Sequence, residues 1–198
     1  MGICMATAAD AAELLAIYNQ YIDTSITFEY TLPTEAEFRA RITGILGEYP
    51  YLVWQEDGRI LGYAYAHRHM ERAAYQWNAE LSVYLDRAAR HRGLGRRLYG
   101  AVMELLRMQG ILTAHALVTS PNPDSQALHE AMGFHLAATH RLAGFKAGDW
   151  HDVLWYEKEL APREMNPTPP VPLEALPQTQ VVAVLEAFSD AYVAPEKS

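Results

Sequence analysis

The segment Arg90-His91-Arg92-Gly93-Leu94-Gly95 combines three basic side chains with two glycines. It lies between an apolar segment that ends near Leu85 and a segment with the apolar period of a helix. Glycines let the backbone approach a ligand closely, and the first N–H groups of a helix have no partner within the helix. The segment therefore predicts a site for an anion such as a pyrophosphate.

Two other phosphate-binding motifs do not fit this segment. A P-loop requires a lysine followed by serine or threonine after its last glycine, and none is present here. A dinucleotide fingerprint requires a third glycine where this sequence has Leu98. An ordinary glycine-containing loop with solvated arginines stays an alternative when these residues are considered alone.

A single carboxylate stands out in the apolar segment before this loop. Glu80 lies in WNAELSVY, a predicted strand, where a carboxylate costs free energy unless it has a partner or a task. Alternation offers a second interpretation, because Asn78, Glu80 and Ser82 would share one face that could be solvated. Glu80 is thus a candidate proton acceptor whose environment the sequence leaves open.

Length and composition indicate one globular domain. The chain has 198 residues, half of them apolar and a fifth charged, and no run of about 18 uncharged apolar residues that could span a membrane. The net charge of −8 argues against a nucleic-acid partner, although five arginines cluster between positions 87 and 97. The only cysteine, Cys4, predicts a small buried apolar residue in a reduced, cytoplasmic protein.

The patterns predict an α/β (α+β) fold with the element order αα-βββ-α-β-α-ββ over residues 1–160, preceded by a short strand at Ile3 to Ala6. Thr34 and Glu37 form a capping box for the second helix. A strand is predicted from Tyr75 to Leu85. The last 38 residues, 161–198, hold seven of the eleven prolines and predict an extended tail, with VVAVLEAFSDAY as one possible short helix.

Longer blocks of the sequence resemble one enzyme family. The motif R-x-x-G-x-G after a strand is the acyl-CoA signature of the GNAT superfamily, whose fold is a central mixed, mostly antiparallel sheet flanked by helices. The blocks YNQYIDTSITFE, RAAYQWNAELSVYL, PNPDSQALHEAMGF and GFKAGDWHDVLWY are similar to its phosphinothricin and methionine sulfone acetyltransferase branch, over roughly residues 3 to 160. The resemblance implies an acetyltransferase that needs acetyl-CoA and no metal.

The resemblance also implies which residues bind the acetyl-CoA. Arg90, His91, Arg92, Gly93, Leu94 and Gly95, with Arg96, would hold the pyrophosphate. The backbone of Val83 and Leu85 would pair with the pantetheine arm. Asn122 and Ser125, in the PNPDS turn, would contact the same arm, although Asn122 could equally be only a turn former.

For catalysis, the resemblance assigns Glu80 as general base and His129 as the group near the thiol leaving group. An amine that attacks a thioester must lose a proton, and the oxyanion that forms needs a hydrogen-bond donor, expected from the backbone N–H near Val83. With eight histidines in the chain, His129 could also be a packing residue.

Five residues match family positions near the acceptor: Phe28, Glu29, Arg72, Tyr75 and Lys146. Arginine suits a carboxylate or phosphinate because its planar fork matches two oxygens. The second basic position of the family is Met70 here. Phe28 and Tyr75 could be core aromatics instead, and Lys146 could be solvated.

The sequence therefore predicts an N-acetyltransferase that acts on the primary amine of a small amino acid or analogue, expected to be a homodimer. Two alternatives stay open. Because of Met70, the acceptor could be a protein N-terminus, an aminoglycoside or a polyamine. The chain could also be a non-catalytic CoA-binding module whose proline-rich tail recruits a partner.

Overall fold

A seven-stranded sheet organises the chain, as seen in a computed structural model that describes residues 1–190. The strands are β1 (Gly2–Met5), β2 (Tyr51–Glu56), β3 (Arg59–Arg68), β4 (Asn78–Leu85), β5 (Thr113–Ser120), β6 (His135–Lys146) and β7 (Asp149–Glu159). Their order across the sheet is β1-β2-β3-β4-β5-β7-β6. All neighbours run antiparallel except β4 and β5. The predicted fold class is confirmed.

Helices cover both faces of this sheet. They are α1 (Ala11–Asn19), α2 (Glu35–Thr43), α3 (Leu94–Gln109), α4 (Pro123–Ala131) and α5 (Gln178–Asp190). One core lies between α1, α2 and one face of β2 and β3, and it includes Leu14, Phe38 and Tyr63. The other core lies under α3 and includes Trp54 and Leu98. None of the helices in the described part of the chain is long and apolar enough to cross a membrane.

The single parallel pair in the sheet is short. Asn78 to Glu80 of β4 pair with Thr113 to His115 of β5, and neither strand continues the pairing beyond that point. The remaining residues of β5 pair on their other side with β7. The two central strands thus separate and leave a wedge between them.

Several sequence predictions can be compared with the observed elements. The capping box is confirmed, since Thr34 accepts from the Glu37 backbone N–H and the Glu37 carboxylate accepts from Thr34. The strand predicted from Tyr75 begins only at Asn78, and that boundary was wrong. Pairing with β3 ends at Arg68 opposite Ala79, so residues before Asn78 have no partner strand, and Ala73–Tyr75 form a 3-10 turn.

The prediction that Cys4 is buried was wrong. Cys4 is exposed, whereas its neighbour Ile3 is 5% exposed. Adjacent strand residues point to opposite faces, and Ile3 takes the position facing the α3 core. On the opposite face, α1 and α2 pack on β2 and β3 and do not bury Cys4 of the edge strand β1.

The proline-rich segment runs back along the body and ends in α5. Leu173 and Val181 are buried in the α3 core. The Ile3 backbone N–H donates to Ser189 Oγ at 2.7 Å, and the Arg97 guanidinium donates to the Ser189 carbonyl at 2.8 Å. The predicted helical segment ends at Tyr192, and its last two residues lie outside the described part of the chain.

Candidate active site

The wedge between β4 and β5 is a cleft of about 290 Å³. Its walls come from β4, β5, the loop before α3, the first turn of α3, and α4. The lining includes Leu81, Val83, Leu85, Arg90, His91, Gly93, Gly95, Arg96, Tyr99, Asn122, Ser125 and His129. The structure thus brings most of the predicted cofactor-binding residues to one cavity.

The two glycines of the loop have different structural roles. Gly93 has φ 77° and ψ 3° at the N-cap of α3, a left-handed conformation that glycine adopts without strain. Gly95 is buried in the first turn, and a Cβ there would only make ordinary contact with Leu85 and Leu128. The first turn of α3 therefore opens onto the cleft, with backbone amides and a helix N-terminus that favour an anion.

The arginines of the loop divide into different environments. Arg90 and Arg96 line the cleft, and Arg90 also lies over the Tyr21 ring at 5.2 Å from its centroid. Arg92 instead forms an ion pair with Glu56 at 2.7 Å. Leu94 is 3% exposed and belongs to the α3 core. Arg90 also lies 3.9 Å from the carboxylate of Asp124, which lines the cleft as well, so the local positive charge comes from Arg96 and in part from Arg90.

One wall of the cleft is a strand edge. Val83 and Leu85 lie beyond the last β4–β5 pair, so β5 provides no partner on that side of the backbone. The Tyr21 hydroxyl donates to the Leu85 carbonyl at 2.5 Å and fixes the end of the strand beside Arg90. A strand edge that leads to an anion site fits a ligand with an extended amide-containing arm and a phosphate end.

The opposite wall is formed by the start of α4. Asn122 is the N-cap residue, and its Oδ1 accepts from the Ser125 backbone N–H at 3.3 Å. The structure therefore gives Asn122 the turn-forming role that the sequence left open, and it also places the residue at the cleft.

His129 lies on α4 and is 2% exposed. Its Nδ1 is 2.7 Å from the Ser125 carbonyl, which can only accept, so Nδ1 carries the ring proton. Its Nε2 is 3.1 Å from the Tyr99 hydroxyl. Burial lowers the pKa of His129, opposed in part by the Ser125 hydrogen bond, and the ring is neutral at neutral pH.

Glu80 lies at the apex of the wedge, because it is the last β4 residue paired with β5. Its side chain points to the sheet face opposite Leu81 and Val83, so it lies across the strand from His129. Two imidazoles accompany the carboxylate, His67 Nε2 at 3.8 Å and His69 Nδ1 at 3.5 Å. The Glu80 side chain is thus one fifth exposed and lies beside two imidazoles, with no described hydrogen bond to either.

The strand registers extend this pairing into a row. His67, Glu80, His115, Glu157 and His135 lie directly opposite one another on successive strands, alternating imidazole and carboxylate. Burial, followed by the neighbouring His69, lowers the pKa of His115 to about 4, so its ring is neutral at neutral pH. Its Nε2 lies 3.0 Å from Asn78 Oδ1. On this face, hydrogen bonds therefore join His115 to Asn78 and His135 to Glu157, and the end of the row at His135 is exposed.

Three of the predicted acceptor residues lie where the loop after α1 meets β6. The Lys146 ammonium is 5% exposed and donates to the carbonyls of Ile22, Thr27 and Glu29. The sequence left open whether Lys146 contacts the acceptor or is solvated, and its ammonium does neither here. It is surrounded by the loop that carries Phe28. Glu29 is paired with Arg41 at 2.6 Å. Phe28 packs against Gly144, where no Cβ could fit.

The other two predicted acceptor residues are on the loop between β3 and β4. Arg72 is exposed, and Tyr75 is 41% exposed rather than a core aromatic. Met70, in the same loop, is 38% exposed. None of these three lines the wedge, but their loop also carries His69, which contacts Glu80.

Sequence reasoning missed four residues that the fold brings to the site: Tyr21, His67, His69 and Tyr99. Tyr99 had a readable signal, since a tyrosine on the apolar face of a helix requires a partner for its hydroxyl. The histidines had none, because their contact with Glu80 depends on the β3–β4 register. Among residues 1–190, no group of three or more metal-ligating side chains is arranged to hold a metal ion.

Comparison with known proteins places this geometry in a family. Residues 3–155 match the family model described as an acetyltransferase (GNAT) domain. The chain is 37% identical over 177 residues to a phosphinothricin N-acetyltransferase of Streptomyces viridochromogenes, covering 89% of this chain and 93% of the relative. It is 32% identical to an L-methionine sulfoximine/L-methionine sulfone acetyltransferase of Salmonella typhimurium, covering 81% and 95%.

A solved structure shows the same fold. The phosphinothricin acetyltransferase of Sinorhizobium meliloti, crystallised in complex with AcCoA, superimposes with a TM-score of 0.81 at 34% identity, covering 88% of this chain and 96% of that one. Both the family model and the relatives extend across the wedge, the glycine loop and Glu80. The chain belongs to the GNAT acetyltransferase family.

Proposed function

We propose that this protein transfers the acetyl group of acetyl-CoA to the primary amine of a small amino acid or amino-acid analogue. The observation that carries the proposal is the separation of β4 and β5, which opens a ligand cleft with His129 in its wall. Glu80 belongs to the last β4–β5 pair, beside the cleft but not among the residues that line it. Relatives that acetylate phosphinothricin and methionine sulfoximine or sulfone support the acceptor class.

The residues of the cleft fit the shape and charge of acetyl-CoA. The N-terminal turn of α3, with Arg90 and Arg96, would bind the pyrophosphate, and the free edge of β4 at Val83 and Leu85 would pair with the pantetheine amides. Arg92 would contribute only at longer range, since its guanidinium is paired with Glu56. Acetyl-CoA supplies the thioester carbonyl that the amine attacks.

Glu80 would act as the general base. At neutral pH the acceptor amine carries a proton that must leave before the nitrogen can attack, and a carboxylate at the apex of the wedge can receive it. His67 of β3 and His69 of the β3–β4 loop lie beside the carboxylate, at 3.8 Å and 3.5 Å. The amine would therefore approach on the Glu80 face of β4.

His129 would serve the leaving sulfur on the other face of β4. Its ring is neutral and lines the cleft, with Nδ1 fixed by the Ser125 carbonyl. The thiolate that leaves needs a proton, and Nε2 of the neutral ring carries only a lone pair. His129 would therefore pass a proton to the sulfur only after Nε2 has taken one up, either from solvent or as the proton that the amine gave to Glu80.

The acidic end of the acceptor would be held by the β3–β4 loop. Arg72 is exposed there, free to form a bidentate contact, and Tyr75 is exposed beside it. Phe28 and Glu29 would shape the neighbouring loop, which Lys146 holds in place. Met70 provides no charge, so recognition of the acid depends mainly on Arg72.

We also propose that the protein is a cytoplasmic homodimer. The long hairpin of β6 and β7 exposes large apolar side chains at an uncovered sheet edge: Leu136, Leu142, Phe145 and Trp150 are 45–61% exposed. Such an edge invites association unless it is covered, and a second copy would cover it. A single cysteine leaves no internal disulfide, which fits a reducing compartment.

Replacing Arg96 by alanine should weaken acetyl-CoA binding by about 10- to 100-fold, because a charge-assisted contact to phosphate contributes roughly 1.5–3 kcal/mol. Isothermal titration with acetyl-CoA at two salt concentrations measures the loss. Arg92→Ala is the matched control, since it removes an equal charge four residues away whose guanidinium is paired with Glu56. Equal weakening in both variants would contradict the assignment of the cleft arginines.

Replacing Glu80 by glutamine should lower kcat by about 10²–10⁴-fold, the usual contribution of a general base, with little change in acetyl-CoA binding. Turnover is measured by thiol release at saturating acceptor. Glu157→Gln, which neutralises another carboxylate in the same cross-strand row, should retain turnover. Wild-type turnover in Glu80→Gln would exclude this base, and bound acetyl-CoA without turnover in the wild type would indicate the non-catalytic alternative.

Light scattering at micromolar concentration should give about twice the mass of one chain, 22.2 kDa. Leu142→Asp, which introduces a charge at an exposed position of β6, should shift the mass toward one chain. A wild-type mass of one chain would contradict the dimer.

A further inference from the structure

The hydroxyl of Tyr99 lies where three elements of the site meet. Tyr99 is on α3, is 1% exposed, and lines the cleft. Its oxygen is 3.1 Å from the Leu81 carbonyl of β4 and 3.1 Å from His129 Nε2 of α4. It therefore joins the residue next to Glu80 with the residue proposed to serve the leaving sulfur.

Counting protons shows that this hydroxyl cannot satisfy both neighbours at once. Burial raises the pKa of Tyr99 far above its usual value, so the oxygen keeps its single hydrogen. With the ring proton of neutral His129 on Nδ1, Nε2 presents a lone pair, and the Leu81 carbonyl is also an acceptor. One hydrogen thus faces two acceptors.

Adding one proton to the ring resolves the conflict. When Nε2 is bare, the stronger arrangement has the Tyr99 hydroxyl donating to it, since the reverse orientation would bring two lone pairs together. When Nε2 carries a proton, it donates to the Tyr99 oxygen, and the hydroxyl hydrogen turns to the Leu81 carbonyl. Every donor and acceptor of the three groups is then paired.

We propose that Tyr99 is a positioning residue that holds His129 Nε2 toward the cleft and turns its hydroxyl between Nε2 and Leu81 as the ring gains and loses a proton. No bond to Tyr99 forms or breaks in this cycle. The kinetic part of the proposal rests on the proposed role of His129, whereas the hydrogen bond to Nε2 does not.

A second tyrosine provides a matched control. Tyr156 is 2% exposed and stacks on the same imidazole, with ring centroids 5.5 Å apart, compared with 5.3 Å for the edge-on Tyr99 ring. Its hydroxyl lies 3.5 Å from Glu130 Oε1, the one partner described for it, rather than at His129. Phenylalanine at either position keeps the ring and removes one hydroxyl, but only at Tyr99 does the hydroxyl contact the imidazole.

The test compares Tyr99→Phe with Tyr156→Phe. Tyr99→Phe should lower kcat roughly three- to tenfold, the range for loss of one neutral hydrogen bond, with both KM values unchanged. It should also move the ¹⁵N chemical shift of His129 Nε2 toward the value of a ring nitrogen without a hydrogen bond. The Nε2 signal is assigned as the one that disappears in His129→Ala. Tyr156→Phe should do neither.

The outcomes separate this inference from the proposed function. An unchanged Nε2 signal in Tyr99→Phe, or equal kcat losses in both tyrosine variants, would overturn the positioning role. In the double variant Tyr99→Phe, His129→Ala, kcat should equal that of His129→Ala alone, and independent, multiplying losses would also overturn it. Wild-type turnover in His129→Ala would instead contradict the proposed role of His129, with the Nε2 signal still reporting on Tyr99.

Discussion

The site depends on the separation of β4 and β5 after three paired residues. A continued ladder would have paired the backbone of β4 through Leu85 and left no edge for a ligand. Because β5 instead pairs along its full length with β7, the sheet stays intact while its centre opens. The backbone N–H and C=O groups of β4 that face the cleft have no partner on β5, and such groups require hydrogen-bond partners when they are buried. A ligand with amide groups of its own meets that requirement.

The two proposed reacting groups lie on opposite sides of β4. Glu80 is at the apex on the face of the imidazole row, and His129 is in the cleft wall under α3. Alternation along β4 alone accounts for this division, because adjacent residues of a strand point to opposite sides. The loop before α3 then adds the proposed anion site at the open end of the wedge, with Gly93 in the left-handed conformation that starts the helix. The proposed base and the proposed cofactor-binding backbone thus lie along a single strand, from Glu80 to Leu85.

Local patterns predicted most of the fold and part of the site. The element order and the Thr34 capping box came from features that need no tertiary information, namely period, turn residues and capping side chains. Three features could not be predicted in this way. They are the ion pair of Arg92 with Glu56, the hydrogen bonds of Lys146 to the loop that carries Phe28, and the exposure of Cys4. Each depends on which distant segment lies beside the residue. The histidines around Glu80 show the limit most clearly, since a shift of one residue in the β3–β4 register would move His67 to the opposite face.

The central claim is acetyl transfer to a small amino-acid amine, and thiol release from acetyl-CoA with a panel of acceptors tests it most directly. The panel contains phosphinothricin and methionine sulfone, with spermidine and a short peptide as amines of other classes. The account predicts release that depends on the first two and is far slower with the others, because the relatives acetylate acceptors of that class and Arg72 is proposed to bind their acidic group. Release only with spermidine or the peptide would assign a different acceptor, and no release with any amine while acetyl-CoA binds would contradict catalysis at this site.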